Sequence, residues 1–206
     1  MLANADIINA VAEVVTTDAE DITVVLDPVL VATSGDALLD EGAIDVLKEK
    51  LLPLADVITP NTHEAALLTG LKVDDAEDMI KAGEALREMG AYAALMKGGH
   101  LEGKSVTDIL VAEEGNQMMN APRIYSRHTH GTGCTLASAV ASMLAQGAPV
   151  EVAVMDAREY VFEAIRSAPK LGQGNGPLNH GLKIGAAGPA ASSDEPNPFA
   201  VLKDLH

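Results

Sequence analysis

Five consecutive residues, His130-Gly131-Thr132-Gly133-Cys134, set two glycines, a hydroxyl and the chain's only cysteine directly ahead of a run of small and apolar residues, Thr135 to Leu144. Glycines on either side of a threonine let the backbone curl. A helix starting there turns its unpaired N–H groups into the curl and forms a cradle for an anion. That points to chemistry on phosphate. The competing reading of the same segment is a glycine-rich connection with a buried cysteine acting as a small hydrophobe. Three more polar clusters could serve a phosphate: Asp27 before Pro28, Asn61 with Glu64, and Lys97 before Gly98-Gly99-His100. Asn61 and Glu64 stand three residues apart at a helix start, close enough to reach one hydrated Mg²⁺. The same spacing also makes an ordinary capping pair. Asp27 reads equally as a turn residue, and Lys97 either neutralises a transferring phosphate or is simply solvated.

The elements that must position these groups follow from the hydrophobic pattern. Asn4 caps a helix with Ile7, Ile8, Val11, Val14 and Val15 on one face. Ile22 to Leu26 reads as a buried strand ending on Asp27-Pro28-Val29, and Thr33 to Asp36 as a polar loop. Ile44, Leu47 and Leu51 mark an amphipathic helix, and Ala55 to Thr59 the next strand. Thr62 caps a helix running to Gly70, and Asp75 starts another, carrying Met79, Ile80, Leu86 and Met89 and closing at Gly90. Ala91 to Met96 is a third strand, with Lys97 at its end. Val106 to Ala112 and Met118 to Ile124 flank Glu113-Glu114-Gly115-Asn116 and read as a hairpin. The helix after the cradle ends by Gly147, and Pro149 begins a last helix with Val152, Val161, Ala164 and Ile165 facing inward.

Strand, polar turn and helix recur in this order, which is the grammar of an open, mostly parallel sheet flanked by helices. In such a sheet the ligand crevice lies beyond the carboxyl ends of the strands. Asp27, Asn61 with Glu64, Lys97 and the cradle are therefore expected to converge there. Carboxylate, lysine and an N–H cradle are the parts that phosphoryl transfer requires. Gly98 to Ser105 also fits the pattern G-x-x-x-x-G-K-[ST] letter for letter. That loop needs a helix to start at its Lys-Ser, and the residues that follow, Val106 to Val111, are of strand type, so this reading is set aside. The six histidines show no metal-ligand spacing, and no Gly-x-Ser-x-Gly elbow occurs.

Composition agrees with one α/β domain. The chain has 206 residues, 48% hydrophobic and only 2% aromatic. Its core is therefore aliphatic and alanine-rich, the usual material of helices on a parallel sheet. A formal charge of -16 argues against nucleic acid or an anionic membrane surface as partner. A single cysteine cannot form an internal disulfide, Met1 to Val15 does not read as a signal peptide, and no apolar run is long enough to span a bilayer. The expectation is a soluble, cytoplasmic chain with a domain over residues 1–182 and a flexible, acidic, Ala/Pro-rich tail over 183–206.

These residues in this order resemble the ribokinase-like superfamily, and within it the hydroxymethylpyrimidine and phosphomethylpyrimidine kinases of thiamine biosynthesis. The matching segments are Leu26-Asp27-Pro28-Val29, Thr59-Pro60-Asn61-Thr62-His63-Glu64-Ala65, Lys97-Gly98-Gly99-His100, His130-Gly131-Thr132-Gly133-Cys134-Thr135 and Gly174-Asn175-Gly176-Pro177-Leu178-Asn179-His180. The cysteine is informative, because most sugar kinases of the superfamily carry Asp at the position of Cys134.

The resemblance implies a three-layer α/β/α domain with a mostly parallel central sheet, and an ATP- and Mg²⁺-dependent kinase for hydroxymethylpyrimidine or its monophosphate. It implies that Gly131, Thr132, Gly133 and Cys134 form the catalytic anion hole. Lys97, Asn61, Glu64 and Thr59 would hold ATP, Asp27 and Glu64 would hold Mg²⁺, and the chain would dimerise with a second copy. Family members begin with a strand and a Gly-Ser-Asp-Ser-Gly-Gly-Gly-Ala-Gly-like loop that holds the pyrimidine; this sequence lacks it, so the chain reads as truncated at its N-terminus relative to the family. Pyridoxal or another small vitamin alcohol is the alternative acceptor. A non-catalytic ligand-binding or dimerisation module is the reading from another class.

Overall fold

A computed structural model describes residues 2–18, 21–30, 39–40 and 42–182. The polar loop Thr33 to Asp36 and the tail 183–206 lie outside the described residues. The chain divides into two compact units, Met1–Asn120 and Ala121–His206.

The first unit opens on α1 (Ala5–Thr17), whose N-cap Asn4 accepts a hydrogen bond from the Ile7 N–H as its sequence position requires. The buried face of α1 differs from the expected one. Ile8 and Ala12 are buried, whereas Ile7, Val11 and Val14 are 39%, 38% and 54% exposed. The five apolar residues do share one arc of about 120°, but the buried face is centred on its Ile8 edge and extends past it to the small Ala12, where the helix packs closely. After β1 (Val25–Leu26), the expected amphipathic helix is interrupted. α2 (Ala43–Val46) runs into a π turn at Leu47–Leu51 and a 3-10 turn at Leu52–Leu54. Pro53 cannot continue an α-helix, and the wider turn brings Leu47, Leu51 and Leu52 all inside.

β2 (Val57–Ile58) leads to α3 (Thr62–Thr69), whose N-cap is Asn61 and not Thr62, and whose C-cap Gly70 adopts φ 73. α4 (Ala76–Glu88) is capped by Asp75, as its sequence requires, and β3 (Ala93–Met96) follows. β1, β2 and β3 are parallel neighbours, with Val25 beside Val57 and Val57 beside Ala93. β4 (Ser105–Ala112) then returns antiparallel to β3. β5 (Gly115–Pro122) is its neighbour across Glu113-Glu114, a link too short for a crossover. The sheet is thus parallel over β1 to β3 with the expected hairpin at its other edge. Because Ser105 opens a strand, the P-loop-like stretch has no helix to complete it. The core is aliphatic throughout: Ile8, Leu47, Leu52, Ile58, Leu68, Met79, Leu86, Met96 and Ile109 are fully buried.

The second unit is built on α5 (Thr132–Leu144) and α6 (Val150–Arg166), which pack on each other. Their contact is made of small residues, with Ala137, Ala139 and Val140 from α5 and Ala153, Val154, Ala157 and Ala164 from α6 buried. Val152, expected inward, is 38% exposed. The alanine face permits the closer approach, so α6 rotates to bury it. No helix among the described residues is long and apolar enough to cross a membrane.

Candidate functional site

In the first unit each parallel strand delivers one polar side chain just past its carboxyl end: Asp27 after β1, Thr59 after β2 and Lys97 after β3. The β2–β3 pairing continues beyond the strands through a parallel bridge between Asn61 and Lys97, where the Lys97 N–H donates to the Pro60 carbonyl at 2.8 Å. That backbone contact fixes where the lysine side chain starts. Its ammonium lies 3.0 Å from Asp27 Oδ1 and 3.8 Å from Glu64 Oε2. Thr59 Oγ1 donates to the same Asp27 oxygen at 3.0 Å. The side chains of Lys97 and Asp27 are each 13% exposed and that of Glu64 is 5% exposed, so the three charges interact largely away from water.

Glu64 is also tied to the backbone. The Asn61 N–H donates to Glu64 Oε2 at 2.7 Å while the Glu64 N–H donates to Asn61 Oδ1 at 2.9 Å, a reciprocal capping box at the start of α3. The capping reading of Asn-x-x-Glu is therefore realised, and the same box aims the Glu64 carboxylate at Lys97. Burial lifts the Glu64 carboxyl above its ordinary value of 4.5, against the opposing pull of the Lys97 ammonium and the Asn61 N–H; the charge on Asp27 adds to the rise.

A carboxyl whose folded pKa is raised contributes stability that is complete below 4.5 and is lost as pH rises through the folded value. Glu64→Gln keeps an oxygen for the Asn61 N–H and removes the ionisation. Stability measured by urea unfolding across pH is expected to decline less steeply above 4.5 in this variant than in the wild type. Parallel curves for the two proteins would refute it.

Asp27 Oδ2 is buried and has no hydrogen-bond partner. Among the described residues no three His, Cys, Asp or Glu side chains gather to form a metal cage. This donor set fits a Mg²⁺ held by one carboxylate and otherwise by water and phosphate, the manner in which that ion is commonly bound beside nucleotides.

Asp108 escaped the sequence reading. It is buried, and its Oδ1 accepts the Gly98 N–H at 2.9 Å, which anchors the turn carrying Lys97. Its one signal is a carboxylate at the start of the otherwise apolar run Ile109-Leu110-Val111.

In the second unit Gly131 takes φ 80 and begins α5 without any side-chain cap. Its carbonyl accepts both the Thr135 N–H at 2.9 Å and the Thr135 hydroxyl at 2.7 Å. The peptide ahead of the helix is thereby held. The Thr132 N–H donates to the Thr129 carbonyl at 3.4 Å, and the first-turn N–H groups at Gly133 and Cys134 are left for an outside acceptor. Cys134 is exposed, which excludes the buried-hydrophobe reading of this segment.

The sequence model of the phosphomethylpyrimidine kinase family matches residues 1–179. A hydroxymethylpyrimidine/phosphomethylpyrimidine kinase from Streptomyces coelicolor is 48% identical over 185 residues, covering 90% of this chain and 68% of that protein. Among solved structures, an ADP complex of Bacillus subtilis pyridoxal kinase matches with TM-score 0.78 and 34% identity, covering 87% of this chain and 67% of its own. A phosphomethylpyrimidine kinase from Clostridium difficile matches with TM-score 0.70 and 36% identity over 80% of this chain and 66% of its own. The chain thus spans about two thirds of the length of these relatives. With Asp27, Thr59 and Lys97 following its parallel strands, and with a family match over residues 1–179, the chain belongs to the phosphomethylpyrimidine kinase family, on the ribokinase-like α/β fold.

Proposed function

We propose that this protein uses ATP and Mg²⁺ to phosphorylate 4-amino-5-hydroxymethyl-2-methylpyrimidine, its monophosphate, or both, as a step of thiamine biosynthesis. The observation that carries the reading is the buried Lys97 ammonium, 3.0 Å from Asp27 and 3.8 Å from Glu64 at the carboxyl ends of three parallel strands. A fixed cation of this kind neutralises charge on transferring phosphate, which is most of what phosphoryl transfer asks of a protein. Thr59 and the Asn61–Glu64 box keep the lysine and its carboxylates in register. Asp27 would hold Mg²⁺ through Oδ2, and the ion would supply charge neutralisation for phosphate there. The uncapped first turn of α5 supplies N–H groups for the transferred phosphoryl, with the Cys134 thiol exposed beside them.

The two acceptors differ in their needs. An alcohol benefits from a base, whereas a phosphate ester is already ionised near neutral pH and needs positioning and charge neutralisation. Cys134 is assigned to the latter two tasks. Replacing it with Ser or Ala should lower kcat for both acceptors by about ten-fold or more, and undiminished turnover in both variants would remove it from the mechanism.

A specific observation favours a second acceptor, because the ADP complex of pyridoxal kinase matches the chain with a higher TM-score than the phosphomethylpyrimidine kinase does. Steady-state ADP release with hydroxymethylpyrimidine, its monophosphate and pyridoxal in turn decides between them. Release dependent on a pyrimidine supports the proposal. Release with pyridoxal alone replaces its substrate, and none above the acceptor-free rate marks a non-catalytic binding or dimerisation module. The family likeness also supports a homodimer, which sedimentation equilibrium tests directly. The formal charge of -16 opposes association with nucleic acid.

A further inference from the structure

The segment Gly174 to His180 matches the family in sequence, yet none of the roles above uses it. In the structure it braces the start of α5. The His130 N–H donates to the Gly176 carbonyl at 3.2 Å, and Pro177 bridges His130 in parallel. No larger residue fits at 176, where an added Cβ would lie 2.1 Å from His128 Nδ1 and 2.7 Å from the Leu171 carbonyl oxygen. Leu178 is buried, the Asn179 N–H donates to Ala164 O at 3.0 Å, and the Tyr160 hydroxyl donates to His180 O at 3.2 Å. These contacts hold the backbone of His180 in place, and its imidazole Nε2 lies 3.1 Å from Thr135 Oγ1.

The direction of that contact follows from counting protons. Thr135 has one hydroxyl hydrogen, and it is given to Gly131 O at 2.7 Å. Its oxygen can then only accept, so Nε2 of His180 carries the proton and donates. The result is a directed relay, from His180 Nε2–H to Thr135 Oγ–H to the Gly131 carbonyl, ending on the residue whose left-handed turn opens the N–H cradle.

We propose that His180 is a positioning residue for phosphoryl transfer, acting through Thr135 to hold the Gly131 peptide and with it the N–H cradle at Gly133 and Cys134. The proposal rests on the kinase reading for its catalytic consequence, but the relay has a consequence of its own for the first turn. Losing one such hydrogen bond should raise amide exchange at Thr135 by about five-fold. The same loss should lower kcat by about five-fold with the KM for ATP little changed, since the cradle is needed most when charge develops.

The test compares His180→Ala and His180→Gln in the full chain, because a glutamine amide can place a donor near the position of Nε2. Faster Thr135 exchange in His180→Ala and recovery in His180→Gln are expected, with a melting temperature close to that of the wild type. Thr135→Val combined with His180→Ala should cost no more than Thr135→Val alone, since both remove one relay. Wild-type exchange in His180→Ala, or additive losses in the double variant, would overturn the proposal. Should the wild type release no ADP with any acceptor while Thr135 exchange still responds to His180, the kinase reading fails and the relay stands.

Discussion

Replacing Lys97 with Met is expected to lower the free energy of unfolding by about 3 kcal/mol and turnover by about a thousand-fold, the largest combined effect of any single change in the cluster. The stability loss comes from what is left behind. Without the ammonium, Asp27 and Glu64 remain buried with no opposite charge, and removing one member of a buried ion pair costs far more than the pair contributes. Lys97 is also the main influence holding the Glu64 carboxyl down against burial, so in the variant that carboxyl rises further. Protonation then relieves part of the penalty. The gap between variant and wild type should narrow as pH falls toward 4.5 and widen above neutrality, which urea unfolding at several pH values reads directly.

A second substitution separates stability from catalysis. Glu64→Gln added to Lys97→Met removes one of the orphaned charges, leaves Asp27 in place, and should restore part of the lost stability without restoring turnover. Recovery of turnover would mean that the lysine acts only as a structural counter-ion. A Lys97→Met protein as stable as the wild type at every pH would show that the cluster is solvated, contrary to its burial.

The cluster was readable from sequence because each member follows a recognisable signal. Asp27 closes a β-branched run before proline, Asn61 and Glu64 straddle a helix start, and Lys97 follows an apolar strand. Those signals locate chain direction and turn, which suffices in a parallel sheet, where all such turns lie at one end. They do not say which face of a helix packs. On α1 Ile7, Val11 and Val14 are exposed while Ile8 and the small Ala12 are buried, and on α6 Val152 is exposed while Ala153 and Ala157 are buried. Close approach rewards small side chains, and hydrophobicity alone ranks them too low. The π turn at Leu47–Leu51 was equally hidden, because a one-residue change in winding leaves an apolar spacing that still passes for a helix. Asp108 was missed for a different reason. Its role is to receive one backbone N–H from a turn ten residues earlier, and nothing local to β4 announces that partner.

That turn carries the second large effect. Gly98→Ala is expected to cost about 3 kcal/mol and to reduce turnover with it, whereas Gly99→Ala is expected to be nearly neutral in both. The two glycines are adjacent and indistinguishable in sequence, but their surroundings differ. A Cβ on Gly98 would lie 1.9 Å from the Thr107 carbonyl oxygen and 3.0 Å from its carbon, while a Cβ on Gly99 would meet nothing within 4 Å. The obstacle at Gly98 is backbone, so no rotamer relieves it. β4 cannot retreat without breaking its ladder to β3, where Met96 pairs with Ile109 and Leu95 with Leu110. The turn cannot retreat without losing the Gly98 N–H bond to buried Asp108, which would take a donor from a buried carboxylate. Movement of the turn also carries Lys97 away from Asp27, which is why activity should fall together with stability. Urea unfolding and steady-state ADP release on the two alanine variants measure the contrast, and equal behaviour of Gly98→Ala and Gly99→Ala in both would refute the close approach of this turn to β4 as the device that sets the lysine.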